Sequence, residues 1–366
     1  MHVLFCGGGT AGHVEPALAI AELLKKHRPE VSSRFVLREG GRENRRVEEA
    51  GYPIHYLNVR GFDRRLSPRQ LETLRLAMRA VREMKGRLRE DPPALVVGTG
   101  GYVCLPVIYA ATALHIPTVL HESNATPGLA VRLMAGRVDK LLFNLPGSEH
   151  TLRTRTYRAT VGMPVRSDIG RIDRQTARRQ LGLRVGQVLI VSFGGSLGAE
   201  AINRHCIKLM HDFSRYVPGI RHIHGCGHRY YDAVREEYPM LCYEGRTTVK
   251  PYLTDMPRLL AAADIVIARS GAATIAELCA AGAASILIPS PNVAGNHQYK
   301  NAKRLEDKGA CLLLEEKELT YRRLEDAVRT LLDDTAARRR MQTAAHSLFD
   351  PACERKILHE LDEFLL

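Results

Sequence analysis

The sequence predicts an α/β fold of two similar domains, each a parallel sheet with helices packed on it. Three observations predict it. Short apolar runs alternate with longer segments of helical periodicity along the whole chain. Several of those runs end in glycine, as strands do where they turn into a helix. The pattern of strand, glycine turn and helix that opens the chain restarts near residue 187.

In the first half, HVLFC (2–6) reads as a buried parallel strand ending at Gly7, and Val14 to Lys26 has helical periodicity. SSRFVLRE (32–39), PALVVGTGGY (93–102), IPTVLHESN (116–124) and KLLFN (140–144) follow as strands. In the second half, QVLIVSFGGSLGAEAINRHCIKLM (187–210) repeats the opening unit. IRHIHGCG (220–227), MLCYEG (240–245), DIVIARSGAATIAELCAAG (264–282) and ASILIPSP (284–291) continue the alternation. The boundary falls near VGMPVR (161–166), where Pro164 and the arginine-rich tract after it suit a linker. The domains are then 1–162 and 163–345.

Composition bounds the function. The 366 residues are 45% hydrophobic and 25% charged, an ordinary soluble balance. Eight cysteines are scattered with no C-x-x-C pair, which predicts reduced, largely buried thiols of a cytosolic protein and no zinc site. No secretory signal is visible, and the longest apolar run, VCLPVIYAATAL (103–114), contains a proline and stops at His115, short of the ~20 residues that cross a bilayer. The formal charge of +13 asks for an anionic partner. The excess is concentrated: Arg60 to Glu90 holds ten Lys and Arg against four Asp and Glu. Ser67, Pro68 and Gln70 start a helix there. Leu71, Leu74, Met78, Val81 and Leu88 predict its inward face, with Arg75, Arg79, Arg82 and Arg89 on another stripe. In the segment leading into it, Phe62 and Leu66 lie among Arg64 and Arg65, a composition suited to an anionic membrane surface.

Gly7, Gly9 and Gly12 satisfy G-x-G-x-x-G between a strand and a helix. The acidic residue that a dinucleotide site expects is displaced: Glu39 lies 27 residues beyond Gly12. A Walker loop is excluded, since no Gly-Lys-Ser/Thr follows. Glycine turns recur at GTGGY (98–102), FGGSLGA (193–199) and RSGAAT (269–274). Helix N-termini at such turns offer N–H groups and partial positive charge to phosphate. Two such domains facing each other across a cleft suit a nucleotide diphosphate on one side and an acceptor on the other.

The stretches GGGTAGHVEPALA (7–19), GTGGYV (98–103), HESNATPGLA (121–130), GMPVR (162–166), GGSLGAEAIN (194–203), YLTDM (252–256), AADIVIARSGAATIAEL (262–278) and NHQYKNA (296–302) together resemble the peptidoglycan glycosyltransferases of glycosyltransferase family 28. The chain departs from that family's usual residues at Ser123, Met163, Leu197 and His297. The resemblance implies the GT-B fold, two Rossmann-like domains whose parallel sheets face a central cleft. It also implies a C-terminal helix, about 346–366, packed back on the first domain. The implied reaction moves N-acetylglucosamine from UDP-GlcNAc to the C4 hydroxyl of the MurNAc of lipid I, undecaprenyl-pyrophosphoryl-MurNAc-pentapeptide, and yields lipid II. It would take place at the cytoplasmic side of the cell membrane, on a peripheral enzyme touching the anionic surface.

The resemblance also implies residue roles. Thr10, Ala11 and Gly12 face the donor sugar and diphosphate, and Asn124 reaches the donor from the same domain. Arg166 contacts the nucleotide or its diphosphate, and Ser196 binds phosphate. Leu253 packs by the uracil. Ala272, Ala273, Thr274, Ile275 and Ala276 run past the diphosphate to Glu277 at the ribose. Gln298, with His297, reads the sugar hydroxyls. Beside a glycine turn, His13 is the candidate general base for the acceptor hydroxyl, since imidazole titrates in the useful range. Glu122 is the second candidate, as base, as orienter of His13 or as acceptor ligand. No D-x-D pair accompanies the glycine turns, so no metal and no cofactor is expected. An NAD(P)-dependent oxidoreductase, a related UDP-sugar epimerase or a transferase with another acceptor, and a nucleic-acid binder remain open alternatives on the residues.

Overall fold

The structure, a computed structural model, describes residues 1–9, 11–61, 69–165, 168–195, 197–243 and 245–365. The chain divides into two compact units, Met1–Pro164 with Asp350–Leu366, and Val165–Phe349. The first unit runs β1 (His2–Cys6), α1 (Ala11–His27), β2 (Ser32–Arg38), α2 (Arg45–Glu49), β3 (Ile54–Leu57), α3 (Arg69–Glu90), β4 (Leu95–Gly98), α4 (Cys104–Thr112), β5 (Thr118–Glu122), α5 (Leu129–Met134), β6 (Lys140–Phe143) and β7 (Tyr157–Thr160). The second runs α6 (Arg174–Gln180), β8 (Val188–Phe193), α7 (Glu200–Leu209), β9 (Ile220–Gly225), α8 (His228–Glu237), β10 (Thr247–Lys250), α9 (Met256–Ala262), β11 (Ile265–Ala268), α10 (Ala272–Ala281), β12 (Ser285–Leu287), α11 (His297–Glu306), β13 (Leu312–Leu313), α12 (Tyr321–Asp333) and α13 (Thr335–Ser347). A last helix, α14 (Cys353–Asp362), belongs to the first unit.

Both sheets are parallel, ordered β3-β2-β1-β4-β5-β6-β7 and β10-β9-β8-β11-β12-β13. Their central strands are largely apolar because helices cover both faces. On β1, Leu4 and Cys6 face the layer of α3, α4 and α5. Val3 and Phe5 face α1 and α14, where Leu18, Leu24, Ile357 and Leu361 complete the core. Ionic contacts hold α14 there: Lys140 Nζ lies 3.0 Å from Glu360 Oε2, and Arg28 donates to both oxygens of Asp362 at 3.0 and 2.6 Å. In the second unit, Leu189, Val191 and Val266 face α9 and α10, while Ile190, Ile265 and Ile267 face α7 and α12. The eight cysteines are unpaired, seven of them buried. No helix among the described residues is long and apolar enough to cross a membrane.

Two sequence expectations need correction. On α3 the predicted inward face is mostly outward: Leu71, Leu74 and Met78 are 67%, 47% and 50% exposed, and Val81 is half-buried. Leu88 is buried as expected, with Thr73, Ala80 and Met84 in place of the others. The helix carries two apolar stripes, and the buried one shares a core with Ala110 and Ala111 of α4. Residues 240–243 and Gly245 form no strand. Pro239–Leu241 is a single 3-10 turn, with Met240 and Tyr243 exposed, and the strand begins at Thr247.

His222 and His224, on β9, are wholly buried, and burial lowers their pKa from 6.5 to about 3 and about 4. Unfolding restores the ordinary value, so below that value the unfolded chain binds protons that the folded chain refuses. Their contribution is therefore complete above pH 6.5 and is lost as pH falls through about 4 for His224 and about 3 for His222. Melting followed by circular dichroism should show Tm falling across that interval, with a shallower slope for His222→Gln; equal slopes would contradict the assignment.

Candidate active site

β1, β4 and β5 are neighbours in the first sheet, so the segments after them meet at one end. The turn at residues 7–9 and the turn at 98–101 pack backbone against backbone. Gly101, at φ +78°, has no room for a side chain: a Cβ there would lie 1.9 Å from the Gly8 carbonyl oxygen and 3.0 Å from His13 Nδ1. A Cβ on Gly100 would lie 2.9 Å from His13 Cδ2. The half-buried His13 ring, in the first turn of α1, therefore lies along the GTGG turn. Thr99 fixes its backbone, donating from Oγ1 to the His13 carbonyl at 2.6 Å. The Gly9 N–H donates to Glu43 Oε1 at 2.8 Å. A dinucleotide pyrophosphate at this turn would meet that carboxylate, which argues against the oxidoreductase alternative.

Glu122, at the end of β5, is buried and holds its own loop. Its Oε1 accepts from the Asn124 backbone N–H at 2.8 Å and from Asn124 Nδ2 at 3.0 Å, and its Oε2 accepts from the Gly128 N–H at 2.7 Å. Burial raises its pKa, against the lowering effect of these bonds. His121 donates from Nε2 to the Gly162 carbonyl at 2.9 Å, and burial lowers its pKa.

In the second unit the glycine turn after β8 leads into α7, and the turn after β11 leads into α10. Neither helix has a side-chain cap: Ala199 and Gly271 occupy the N-cap positions. Their first-turn N–H groups carry the partial positive charge that suits an anion. On α10, Ala273, Thr274 and Glu277 share the half-exposed side, while Ala272, Ile275 and Ala276 point into the core, leaving only backbone to offer. Leu253 is likewise in the core, 5% exposed. Gln298 bridges two loops: its Oε1 accepts from the Ser290 N–H at 2.9 Å, and its carbonyl accepts from Ser270 Oγ at 2.9 Å. His297 opens α11 beside it, half-buried. Arg269 donates to the carbonyls of Ile288 and Pro289 at 3.1 and 3.0 Å and pairs with Glu316.

Thr10, Arg166 and Ser196, and the segment with Phe62, Arg64, Arg65 and Leu66, lie outside the described residues, as does the Ala11 side chain. Sequence reasoning missed four residues that shape the site. Thr99, Arg269 and Ser270 stand inside the quoted glycine motifs, so a signal existed. Glu43 stands in no motif, and only the fold brings it to Gly9.

Glycine turns at the carboxyl ends of parallel strands in each unit, with uncapped helix N-termini in the second, define an α/β protein of the nucleotide-binding class. The glycosyltransferase family 28 N-terminal domain matches residues 3–143, and the family's C-terminal domain matches residues 189–356. The chain belongs to glycosyltransferase family 28. It is 37% identical over 348 residues to a protein of Acetivibrio thermocellus, covering 95% of this chain and 94% of the relative. It is 38% identical over 370 residues to one of Desulforudis audaxviator, covering 99% and 98%. Both are named UDP-N-acetylglucosamine–N-acetylmuramyl-(pentapeptide) pyrophosphoryl-undecaprenol N-acetylglucosamine transferase. Among solved structures, MurG of Acinetobacter baumannii superposes with a TM-score of 0.77 at 25% identity, covering 99% of each chain.

Proposed function

We propose that this chain transfers N-acetylglucosamine from UDP-GlcNAc to the C4 hydroxyl of the MurNAc of lipid I, with inversion, to give lipid II. The observation that carries the reading is full-length similarity to transferases of that name, joined to glycine turns at the strand ends of both units. The second unit holds the donor. The N-termini of α7 and α10 receive the diphosphate, with Ser196 and Arg166 in the roles the resemblance implies, and Glu277 accepts from the ribose hydroxyls. Gln298 and His297 read the sugar, and Thr10, Gly12 and Asn124 meet it from the first unit.

The acceptor O4 attacks the anomeric carbon, the bond from that carbon to the phosphate oxygen breaks, and UDP leaves with added negative charge. The acceptor's proton goes to His13. Glu122 is a poorer base, since its two oxygens already accept three N–H bonds; it positions Asn124 and residue 128. Helix N-termini meet the charge on UDP, so no metal ion is required.

The lipid-borne acceptor brings the enzyme to the membrane. On α3, Leu71, Leu74 and Met78 are exposed among Arg75, Arg79 and Arg82. Arg and exposed apolar residues on one helix face suit an anionic leaflet, and we place docking there, continuous with the basic segment before it.

Given UDP-GlcNAc and a lipid I analogue in EDTA, the protein should release a product heavier by one N-acetylglucosamine residue, found by mass spectrometry. Hydrolysis of UDP-GlcNAc with the acceptor unchanged would overturn the reading. His13→Ala should lower kcat by roughly 100-fold or more with UDP affinity unchanged; retained turnover would remove the base assignment. Replacing Leu71, Leu74 and Met78 by Ser should weaken binding to phosphatidylglycerol vesicles by roughly tenfold or more. Unchanged sedimentation with the vesicles would put docking elsewhere.

A further inference from the structure

Beneath α7 lies a line of buried polar groups that the reaction does not use. Ser192 Oγ lies 2.8 Å from His222 Nε2 and 2.8 Å from His224 Nδ1. Ser214 Oγ lies 3.1 Å from His222 Nδ1, and His224 Nε2 lies 3.1 Å from Asn203 Oδ1. Asn203 Nδ2 donates to the Cys226 carbonyl at 2.8 Å. All five side chains belong to residues under a tenth exposed.

With both rings neutral, donor and acceptor chemistry gives one consistent order of protons along this line. The Cys226 carbonyl only accepts, so the Asn203 amide nitrogen faces it and Oδ1 must accept from His224 Nε2–H. A neutral His224 then has a bare Nδ1, which takes the Ser192 proton. Ser192 Oγ in turn accepts from His222 Nε2–H, and the bare Nδ1 of His222 takes the Ser214 proton. Each link forces the next.

The line ends where the glycine turn rests. Gly198, at φ +75°, runs so close to Cys226 that a Cβ would lie 2.0 Å from its carbonyl oxygen, and a Cβ on Gly227 would lie 2.6 Å from the Leu197 carbonyl oxygen. Residues 226–227 are thus a shelf under residues 197–198. Asn203, in the first turn of α7, ties that helix end to the shelf, and Ser214 ties the π-helical turn Met210–Ser214 that follows α7. A helix pinned at both ends to β8 and β9 has a fixed rotation and a fixed N-terminus.

We propose that Ser214, His222, Ser192, His224 and Asn203 form a proton-ordered chain that positions residues 197–198 and the N-terminus of α7 for the donor diphosphate. They are positioning residues, and the proposal rests on the reading of the second unit as the donor site. A buried line that served stability alone would affect melting without affecting the nucleotide.

The test is calorimetric titration of UDP into the full chain, with steady-state kinetics in UDP-GlcNAc. Ser192→Ala should raise the Kd for UDP and the KM for UDP-GlcNAc about tenfold with kcat within about threefold, because a misplaced anchor weakens binding before chemistry. Ser192→Thr, which keeps the hydroxyl, should restore both. Ser214→Ala, at the far end of the line, should shift both constants in the same direction by less, and it carries the test if Ser192→Ala does not fold. Variants that melt earlier yet bind UDP as the wild type does would overturn the proposal alone. A wild-type chain that does not bind UDP would instead overturn the donor-site reading and this proposal with it.

Discussion

The site depends on backbone running directly against backbone at the carboxyl ends of the parallel strands. Gly101 lies on the Gly8 carbonyl in the first unit, and Gly198 lies on the Cys226 carbonyl in the second. A single Cβ at either place would enter the van der Waals radius of an oxygen, so the two loops would have to separate. With no side chains between them, two adjacent turns each bring amide N–H groups to one spot. Amide N–H groups gathered in this way are the kind of donors that suit an anion. The same packing sets His13 along a wall of glycine, where a reacting group can approach it closely.

Several polar side chains around these turns hold the loops. Glu122 folds 123–128 about itself, Arg269 gathers the carbonyls after β12, and Gln298 joins the segments after β11 and β12. A buried donor or acceptor left without a partner costs about 1–3 kcal/mol, so each of these groups is committed before any substrate arrives. The division of labour is physical: these side chains hold the turns still, while the uncapped N-termini of α7 and α10 present backbone N–H groups. Rigid presentation of donors costs no reorganisation when charge develops on a leaving group.

The central strands were legible because burial on both faces demands an uninterrupted apolar run, and β1, β4, β8 and β11 have one. β3 and β7 escaped notice for the opposite reason: they are edge strands, four residues long and partly exposed, with mixed composition. β10 is threonine-rich, and the apolar residues before it are a turn. The orientation of α3 was hidden because periodicity marks both of its stripes and only its packing against α4 and the sheet selects between them. In the site, glycine turns were legible as motifs. What Glu122, Gln298 and Glu43 bond to was not, because those partners depend on where loops fold, and Glu43 reaches Gly9 across 34 positions of chain.

The return of α14 has a consequence for how the molecule is made. The first unit is discontinuous in the chain, with its last helix following the whole second unit. Ile357 and Leu361 fill the same core as Phe5 and Leu24. During synthesis the second unit can close its core as soon as it leaves the ribosome, while the first keeps an open apolar groove over α1 until the final residues emerge. The piece made first is finished last, and until then its unfilled groove is the surface a chaperone would find.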